Sequence, residues 1–214
     1  LVYALAFDQG LLTPKRIIAD VPVNYGGYAP ENFNSKFNGN VTLENALMNS
    51  LNVPAVKTLH LIGLQTMIDK MKLANFQQTR KTEKSLGLSL VLGGCGVKLE
   101  ELTGLFSAFG NEGKFSPLQF LRDEKQSISV QLVSASSAYM IAEILSQVNR
   151  PELPSFIQEN TIHVPRIAWK TGTSYGRRDA WSIGYNKNYT IGVWIGNFSG
   201  EGIPELSGAE MATP

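Results

Sequence analysis

The order of the hydrophobic patterns constrains the fold of this chain more than any other feature. Apolar residues recur at helical spacing over most of residues 1–150, whereas strand-like runs follow one another only near the C-terminal end. The last two runs are separated by Asn186-Lys187-Asn188, which predicts a hairpin because asparagine tolerates the left-handed conformation. Helices first and antiparallel strands last predict a mixed α and β (α+β) fold, with helices flanking an antiparallel sheet.

Periodicity and helix-breaking residues place the individual elements. We predict helices at Val2–Asp8, closed by Gly10, from Thr42 as N-cap to Leu51, from Pro54 onward, and at Leu64–Leu73, Lys98–Phe109 and Gln131–Val148. We predict strands at Arg166–Ser174, Ala180–Tyr185 and Tyr189–Phe198. Thr13–Asn40 is rich in glycine and proline, which predicts a long irregular loop of the kind that is often functional.

Composition narrows the class of protein without naming an activity. The 214 residues are 43% hydrophobic and 17% charged, as expected of one globular domain with a real core, and the net charge of +1 gives no reason to expect a nucleic-acid partner. Cys95 is the single cysteine and lies in LVLGGCGV, so we expect a small buried thiol. No stretch approaches the roughly 20 apolar residues that span a bilayer. We predict no metal and no cofactor, since only two histidines exist and His163, two residues before Pro165, is expected to be structural.

The segment Lys170-Thr171-Gly172-Thr173-Ser174 puts a cation and three hydroxyls on a predicted strand. Alternation places Lys170, Gly172 and Ser174 on one face of the strand and the two threonines on the other. A glycine in the middle of a strand allows another backbone to approach closely. If this is an edge strand, it could pair with an extended peptide ligand, and the lysine and a threonine hydroxyl would then bind the carboxylate of that peptide. The alternative is a surface strand with a chance lysine.

Asn49-Ser50-Leu51-Asn52 is a second polar cluster, at the junction of two predicted helices. Serine and asparagine are common at helix ends merely as caps, so this cluster alone does not indicate catalysis. The order of the two clusters is more informative, because an S-x-N element followed by K-T-G belongs to the motif set of serine penicillin-recognising enzymes.

Three longer stretches carry a resemblance to a known family. TLENALMNSLNVPAVKTL, GLSLVLGGCGVKLEELTGLFSAFGNEG and KTGTSYGRRDAWSIGYNKNYTIGVWIGN resemble the transpeptidase domain of class A penicillin-binding proteins. LGGCGV and the sequence after KTGTS are similar to the 1C branch of that family. The resemblance covers nearly the whole chain and implies the penicillin-binding protein/serine β-lactamase-like transpeptidase fold.

The first motif of the set, S-x-x-K, does not occur, because no serine in this sequence is followed three residues later by lysine. In the family this motif precedes the segment that YALAFDQGL resembles. We therefore expect residues 1–214 to be part of a transpeptidase domain, without its N-terminal strands, the start of its nucleophile helix and the nucleophile itself, and to be inactive alone. Nothing in the sequence suggests that Ser50 replaces that nucleophile.

The resemblance implies acyl transfer from a D-Ala-D-Ala stem peptide through a serine ester. Ser50 would relay a proton to the leaving nitrogen, Asn52 would orient the motif lysine and bind a substrate amide, and Lys170 would attract the substrate carboxylate. The catalytic candidates here are thus Ser50, Asn52 and Lys170.

The substrate-binding candidates on the predicted strand are Thr171, Gly172, Thr173 and Ser174. The threonine hydroxyls would hold the carboxylate, Thr173 the better placed of the two, and the Thr173 N–H would serve the oxyanion. Arg177-Arg178-Asp179 would form a salt-bridged turn or flank the cleft, and the loop Asn24–Asn40 would line the donor groove.

The family also implies a cellular setting. The expected ligands are peptidoglycan stem peptides and β-lactam antibiotics, and cell-wall synthesis proteins are possible partners. The parent protein would carry a glycosyltransferase domain and a membrane anchor outside these residues, at the periplasmic face of the inner membrane. A D-alanyl carboxypeptidase, a serine β-lactamase and a non-catalytic β-lactam sensor are the alternatives that the motifs leave open.

Overall fold

The structure is a computed structural model that describes residues 1–121, 128–147 and 166–213. Its α-helices are α1 Val2–Asp8, α2 Leu43–Met48, α3 Asn52–Ile62, α4 Leu64–Leu73, α5 Gln77–Thr82, α6 Leu99–Gly110, α7 Ala135–Leu145 and α8 Gly208–Met211. Its strands are β1 Ile17–Asp20, β2 Gly39–Thr42, β3 Lys114–Phe115, β4 Val130–Gln131, β5 Ala168–Thr173, β6 Asp179–Tyr185 and β7 Thr190–Gly196. The mixed order of helices and antiparallel strands agrees with the predicted class.

Helix α1 lies at the centre of the helical part. Its residues from Val2 to Phe7 are all buried, which fits a segment that is apolar on every side. It contacts α3 and α7, and the core continues through α4 and α6. Gly10 ends α1 as predicted, with φ of 67° in a turn where the Leu11 N–H donates to the Ala6 carbonyl oxygen at 3.1 Å.

The C-terminal strands form one antiparallel sheet in the order β5-β6-β7. Thr171 is opposite Ser182 and Trp181 is opposite Trp194, so the register is fixed along the whole of β6. One face packs on α6, where the Tyr185 ring lies 6.0 Å from that of Phe106. The other face is covered by α8 and a small cluster that includes Ala180 and Leu206.

The predicted loop Thr13–Asn40 is bounded by a short ladder that the sequence did not reveal. Strands β1 and β2 pair antiparallel from Ile17–Thr42 to Asp20–Gly39. The irregular part is therefore residues 21–38. Because the ladder joins its two ends, this loop leaves and returns beside the N-terminus of α2.

Several predicted boundaries were wrong. Helix α3 begins at Asn52 rather than Pro54, and a proline in the first turn is tolerated there because those N–H groups have no partner within the helix. Helix α7 begins at Ala135, after Ser134 as N-cap, whereas Gln131 belongs to β4. The end of that predicted helix at Val148, and His163, lie outside the described residues.

Two local explanations also need correction. The hairpin between β6 and β7 exists, but Asn186 is not left-handed; its side chain accepts hydrogen bonds from the N–H groups of Asn188 and Tyr189 at 2.8 and 2.9 Å. Cys95 is half-buried rather than buried, with its Sγ 3.7 Å from the Thr79 hydroxyl. In the described part of the chain, no helix has the length and hydropathy needed to cross a membrane.

Candidate active site

The two polar clusters predicted from the sequence meet in the structure. Lys170 on β5 donates a hydrogen bond from Nζ to the hydroxyl oxygen of Ser50, a residue 120 positions earlier in the chain. The same Nζ donates to the Thr171 carbonyl oxygen at 2.9 Å. The site therefore lies where the sheet edge meets the end of α2 and the start of α3.

Ser50 is held in a backbone conformation that serine rarely adopts. It follows the C-cap of α2 with φ of 53°. The Ser50 N–H donates to the Leu47 carbonyl oxygen at 3.2 Å and the Leu51 N–H donates to that of Ala46 at 2.9 Å, which is the Schellman helix ending. Glycine usually occupies this position, so the serine is strained here, and its hydroxyl accepts from Lys170.

The environment of Lys170 changes its protonation. Burial lowers the pKa of the Lys170 ammonium from 10.5 to about 8, because the charged form loses water. At neutral pH the group is still mainly a cation, but it loses its proton near pH 8, which is close to the pH at which enzymes are usually assayed. A lysine of this kind can both attract an anion and exchange a proton with a neighbouring hydroxyl.

Strand β5 presents backbone groups at an open edge. In an antiparallel pair, residues alternate between those that hydrogen-bond to the partner strand and those that point away from it. Ser174 donates its N–H to the Asp179 carbonyl oxygen at 2.9 Å, so Thr173 and Thr171 fall at the alternate positions and direct their N–H and C=O groups outward. No other described strand pairs with that edge.

The segment Lys170–Ser174 is held by contacts with α8 and with the β5–β6 connection. The Thr173 hydroxyl oxygen accepts a hydrogen bond from the Gly208 N–H of α8 at 3.1 Å, which leaves its own proton free to be donated. The Ser174 hydroxyl oxygen accepts from the Asp179 N–H at 2.9 Å and thus closes the β5–β6 connection. Gly172 lies over the backbone of Gly208, where a Cβ on Gly208 would come within 2.5 Å of the Gly172 carbonyl oxygen.

Asn52 is placed beside this centre but is turned toward the loop of residues 21–38. Its side-chain Nδ2 donates to the Glu31 carbonyl oxygen at 2.8 Å. Its N–H donates to the Asn32 Oδ1, also at 2.8 Å. Asn32 was missed in the sequence; the signal that could have found it is that Leu51, which precedes α3, has no side-chain acceptor to cap the helix.

The turn after β5 reaches the same loop from the opposite side. Neither arginine of Arg177-Arg178-Asp179 forms an ion pair in the described residues, so the predicted salt-bridged turn is wrong. Arg177 instead donates to the Pro204 carbonyl oxygen and lies 5.5 Å from the centre of the Phe33 ring. Asp179 accepts a hydrogen bond from the Trp194 indole at 2.9 Å. The loop thus contacts both the start of α3 and the turn after β5.

Comparison with known proteins gives a consistent family. The model of the penicillin binding protein transpeptidase domain matches residues 1–202. Penicillin-binding protein 1C of Escherichia coli (strain K12) is 37% identical over 213 residues, which are 100% of this chain and 27% of that protein. Penicillin-binding protein 4 of Bacillus subtilis (strain 168) is 29% identical over 79% of this chain and 28% of that protein. The chain thus spans about a quarter of the length of these curated relatives.

Solved structures agree on the fold. Penicillin-binding protein 1A from Haemophilus influenzae superposes with a TM-score of 0.77 at 18% identity, covering 97% of this chain and 38% of that one. PonA1 from Mycobacterium tuberculosis, solved in complex with penicillin V, gives a TM-score of 0.76 at 17% identity over 98% of this chain and 63% of that one. The predicted fold is therefore confirmed.

Proposed function

Because this chain belongs to the penicillin-binding protein transpeptidase family, we propose that it supplies the proton-relay and substrate-binding groups of a serine DD-transpeptidase. The reaction is the cross-linking of peptidoglycan stem peptides that end in D-Ala-D-Ala. β-Lactam antibiotics act at the same place as analogues that acylate the serine. The attacking serine is not assigned to any residue of the chain, since no S-x-x-K motif occurs in it.

The observation that carries the proposal is the hydrogen bond from Lys170 to Ser50 at the open edge of β5. Acyl transfer to an amine requires that a proton reach the leaving nitrogen when the peptide bond breaks. Ser50 is exposed and joined to a lysine whose pKa burial has lowered to about 8, so the pair can pass a proton to a group bound in front of it. Asn52 follows Ser50 by two residues; its Nδ2 is bound to the Glu31 carbonyl oxygen, so its Oδ1 is the atom that would orient the motif lysine or accept from a substrate amide.

The binding groups lie along β5. An extended peptide that adds to the strand edge would meet the outward N–H and C=O groups of Thr171 and Thr173. Its terminal carboxylate would meet the ammonium of Lys170 and the free hydroxyl proton of Thr173, with Thr171, Gly172 and Ser174 completing the strand. The Thr173 N–H is the candidate oxyanion donor, and losing such a donor costs about 3 to 4 kcal/mol of transition-state stabilisation.

The cellular setting is also part of the proposal, and it rests on the family resemblance rather than on these residues. In this proposal the full-length protein is bound to the membrane, carries both a glycosyltransferase and a transpeptidase activity, and works at the outer face of the cytoplasmic membrane. A complex with penicillin V in one structural neighbour supports β-lactam binding by this chain as part of the proposal.

The test is covalent labelling of the full-length gene product with a fluorescent penicillin. We expect one labelled serine, identified by peptide mapping, and we expect it not to be Ser50. Lys170→Ala should lower the acylation rate constant about 100-fold or more, because both the carboxylate attraction and the proton exchange are lost. Lys187→Ala, in the exposed hairpin, is the matched control and should label normally. Unchanged acylation in Lys170→Ala, or label on Ser50, would refute these roles.

The pH dependence of labelling tests the lysine separately. Its positive charge is present below the pKa and is lost as pH rises through it, so carboxylate attraction should decline above about pH 8 rather than above 10.5. Lys170→Arg keeps the charge at all these pH values and should move the alkaline decline upward. An identical decline in both proteins would show that another group titrates.

A further inference from the structure

The loop of residues 21–38 is bonded to the start of α3, the helix that follows Ser50. Asn32 Oδ1 accepts hydrogen bonds from the Asn52 N–H at 2.8 Å and from the Val53 N–H at 3.3 Å. The Asn52 side chain donates in turn to the Glu31 carbonyl oxygen at 2.8 Å. Two consecutive loop residues therefore hold the first turn of α3.

Helix α3 needs this acceptor because it has none of its own. The first N–H groups of a helix have no partner within it, and a side chain at the N-cap usually accepts one or two of them. The N-cap of α3 is Leu51, which makes no such bond. Asn32, which lies 20 residues before Asn52, supplies the missing acceptor instead.

Asn32 is itself oriented by a buried carboxylate. Its Nδ2 donates to both carboxylate oxygens of Asp20 at 2.9 Å and to the Lys36 carbonyl oxygen at 2.8 Å. Asn38 adds two bonds to Asp20, from its N–H at 2.9 Å and its Nδ2 at 2.6 Å. Asp20 is 0% exposed and Asn32 only 5%, so their polar atoms depend on each other rather than on water. The amide nitrogen of Asn32 must point to Asp20, which leaves the oxygen for α3.

We propose that Asn32 is a positioning residue for the acylation step and that Asp20 is its orienting partner. The inference rests on the proposed function and adds two residues that lie in neither motif. Ser50 and Asn52 flank the N-cap of α3, whereas Lys170 stands on β5. A shift of the first turn of α3 therefore moves the serine and the asparagine away from the lysine, and a displacement of about 1 Å can cost about 100-fold in rate.

The first experiment is Asn32→Ala in the full-length gene product, with a fluorescent penicillin as the probe. We expect the acylation rate constant at saturating probe to fall about 10- to 100-fold. The dissociation constant and the final fraction labelled should stay at the wild-type value, because the carboxylate-binding groups are on β5. Asn186→Ala is the matched control: this asparagine also accepts two backbone N–H groups, those of Asn188 and Tyr189 at 2.8 and 2.9 Å, but it lies in the β6–β7 hairpin and should label like the wild type.

The outcomes separate this inference from the proposed function. A wild-type protein that does not label contradicts the proposed function. A wild type that labels, beside an Asn32→Ala variant with the same rate constant, contradicts the positioning role. A lower fraction labelled at an unchanged rate constant also overturns it, because that result is the signature of a residue needed only for folding.

A reciprocal exchange covers the case in which Asn32→Ala does not fold. Asn32→Asp alone places two buried carboxylates side by side, which disfavours their ionisation and should reduce acylation most. Adding Asp20→Asn restores one donor and one carboxylate, with an acceptor still facing α3. The double variant should therefore recover at least about tenfold in rate constant over Asn32→Asp. A double variant that labels no faster than the single one overturns the inference.

Discussion

At the scale of single residues, three helices end in the same type of turn, with a different residue in the left-handed position of each. Gly10, Ser50 and Asn75 have φ of 67°, 53° and 65° after α1, α2 and α4. Glycine adopts this conformation without steric cost and asparagine is the next most common choice, whereas serine is strained there. The strain at Ser50 is retained where the hydroxyl meets Lys170, as expected of a functional position.

Replacing Ser50 with glycine should therefore change stability and activity in opposite directions. Ser50→Gly relieves the left-handed backbone and should raise the free energy of unfolding by up to about 1 kcal/mol, after the added entropy of glycine in the unfolded chain is subtracted. Acylation by penicillin should fall, because the hydroxyl that we propose as the proton relay is gone. Urea denaturation and labelling measure the two effects.

Two variants serve as controls for Ser50→Gly. Ser50→Ala removes the hydroxyl but keeps a Cβ at positive φ, so it should lose acylation without gaining stability. Gly10→Ser introduces the same strain at the end of α1 and should lower the free energy of unfolding. A Ser50→Gly protein that is less stable than wild type would contradict the assignment of strain.

At the scale of elements, the segments with several apolar positions in a clear period were predictable from the sequence, and the four-residue elements were not. α1, α4, α6 and the strands β5 to β7 were predicted because each carries enough apolar positions to set its own period. β1 and β2 have four residues each, and α8 has four, so their patterns are too short to separate from loop. Such elements exist because a partner strand or a sheet face holds them.

The contact of α8 with the sheet gives a prediction at this scale. Gly208→Ala would bring a Cβ within 2.5 Å of the Gly172 carbonyl oxygen and 2.6 Å of that of Trp181. The helix must then move off the strands and release the Thr173 hydroxyl, so the free energy of unfolding should fall by about 1 to 3 kcal/mol. Denaturant unfolding checks the value. Gly87→Ala, where a Cβ meets nothing within 4 Å, should be nearly neutral, and equal losses in both would refute the packing argument.

At the scale of the whole molecule, the site is assembled by contacts between segments that are distant in sequence. The motif residues could be predicted because their order and spacing are specific. The Asp20–Asn32 pair and the contact of Phe33 with Arg177 could not, since a contact between two single side chains does not depend on any repeating pattern in the sequence. The sequence indicated only that Thr13–Asn40 is a long loop of the kind that is often functional, of which Asn24–Asn40 was expected to line the donor groove.

The contact of Phe33 with Arg177 can be measured by a double-mutant cycle. Phe33→Leu and Arg177→Gln should be coupled by about 0.5 to 1 kcal/mol in unfolding free energy, the usual size for an arginine over an exposed ring. The hydrogen bond of Arg177 to Pro204 cancels within the cycle. A parallel cycle of Phe33→Leu with Arg178→Gln is the control and should be additive within about 0.5 kcal/mol. Additivity in the first cycle would show that the ring and the guanidinium do not interact in solution.

The distance of 120 positions between Ser50 and Lys170 also affects how the protein acquires its site. Closing so long a segment carries an entropic cost that only later contacts offset, and pairings of this kind slow folding. Helix α3 and its loop can assemble from neighbouring residues, whereas the lysine arrives only when the sheet docks. Activity is then a late event in folding, and a chain with native helix content can still lack a working centre.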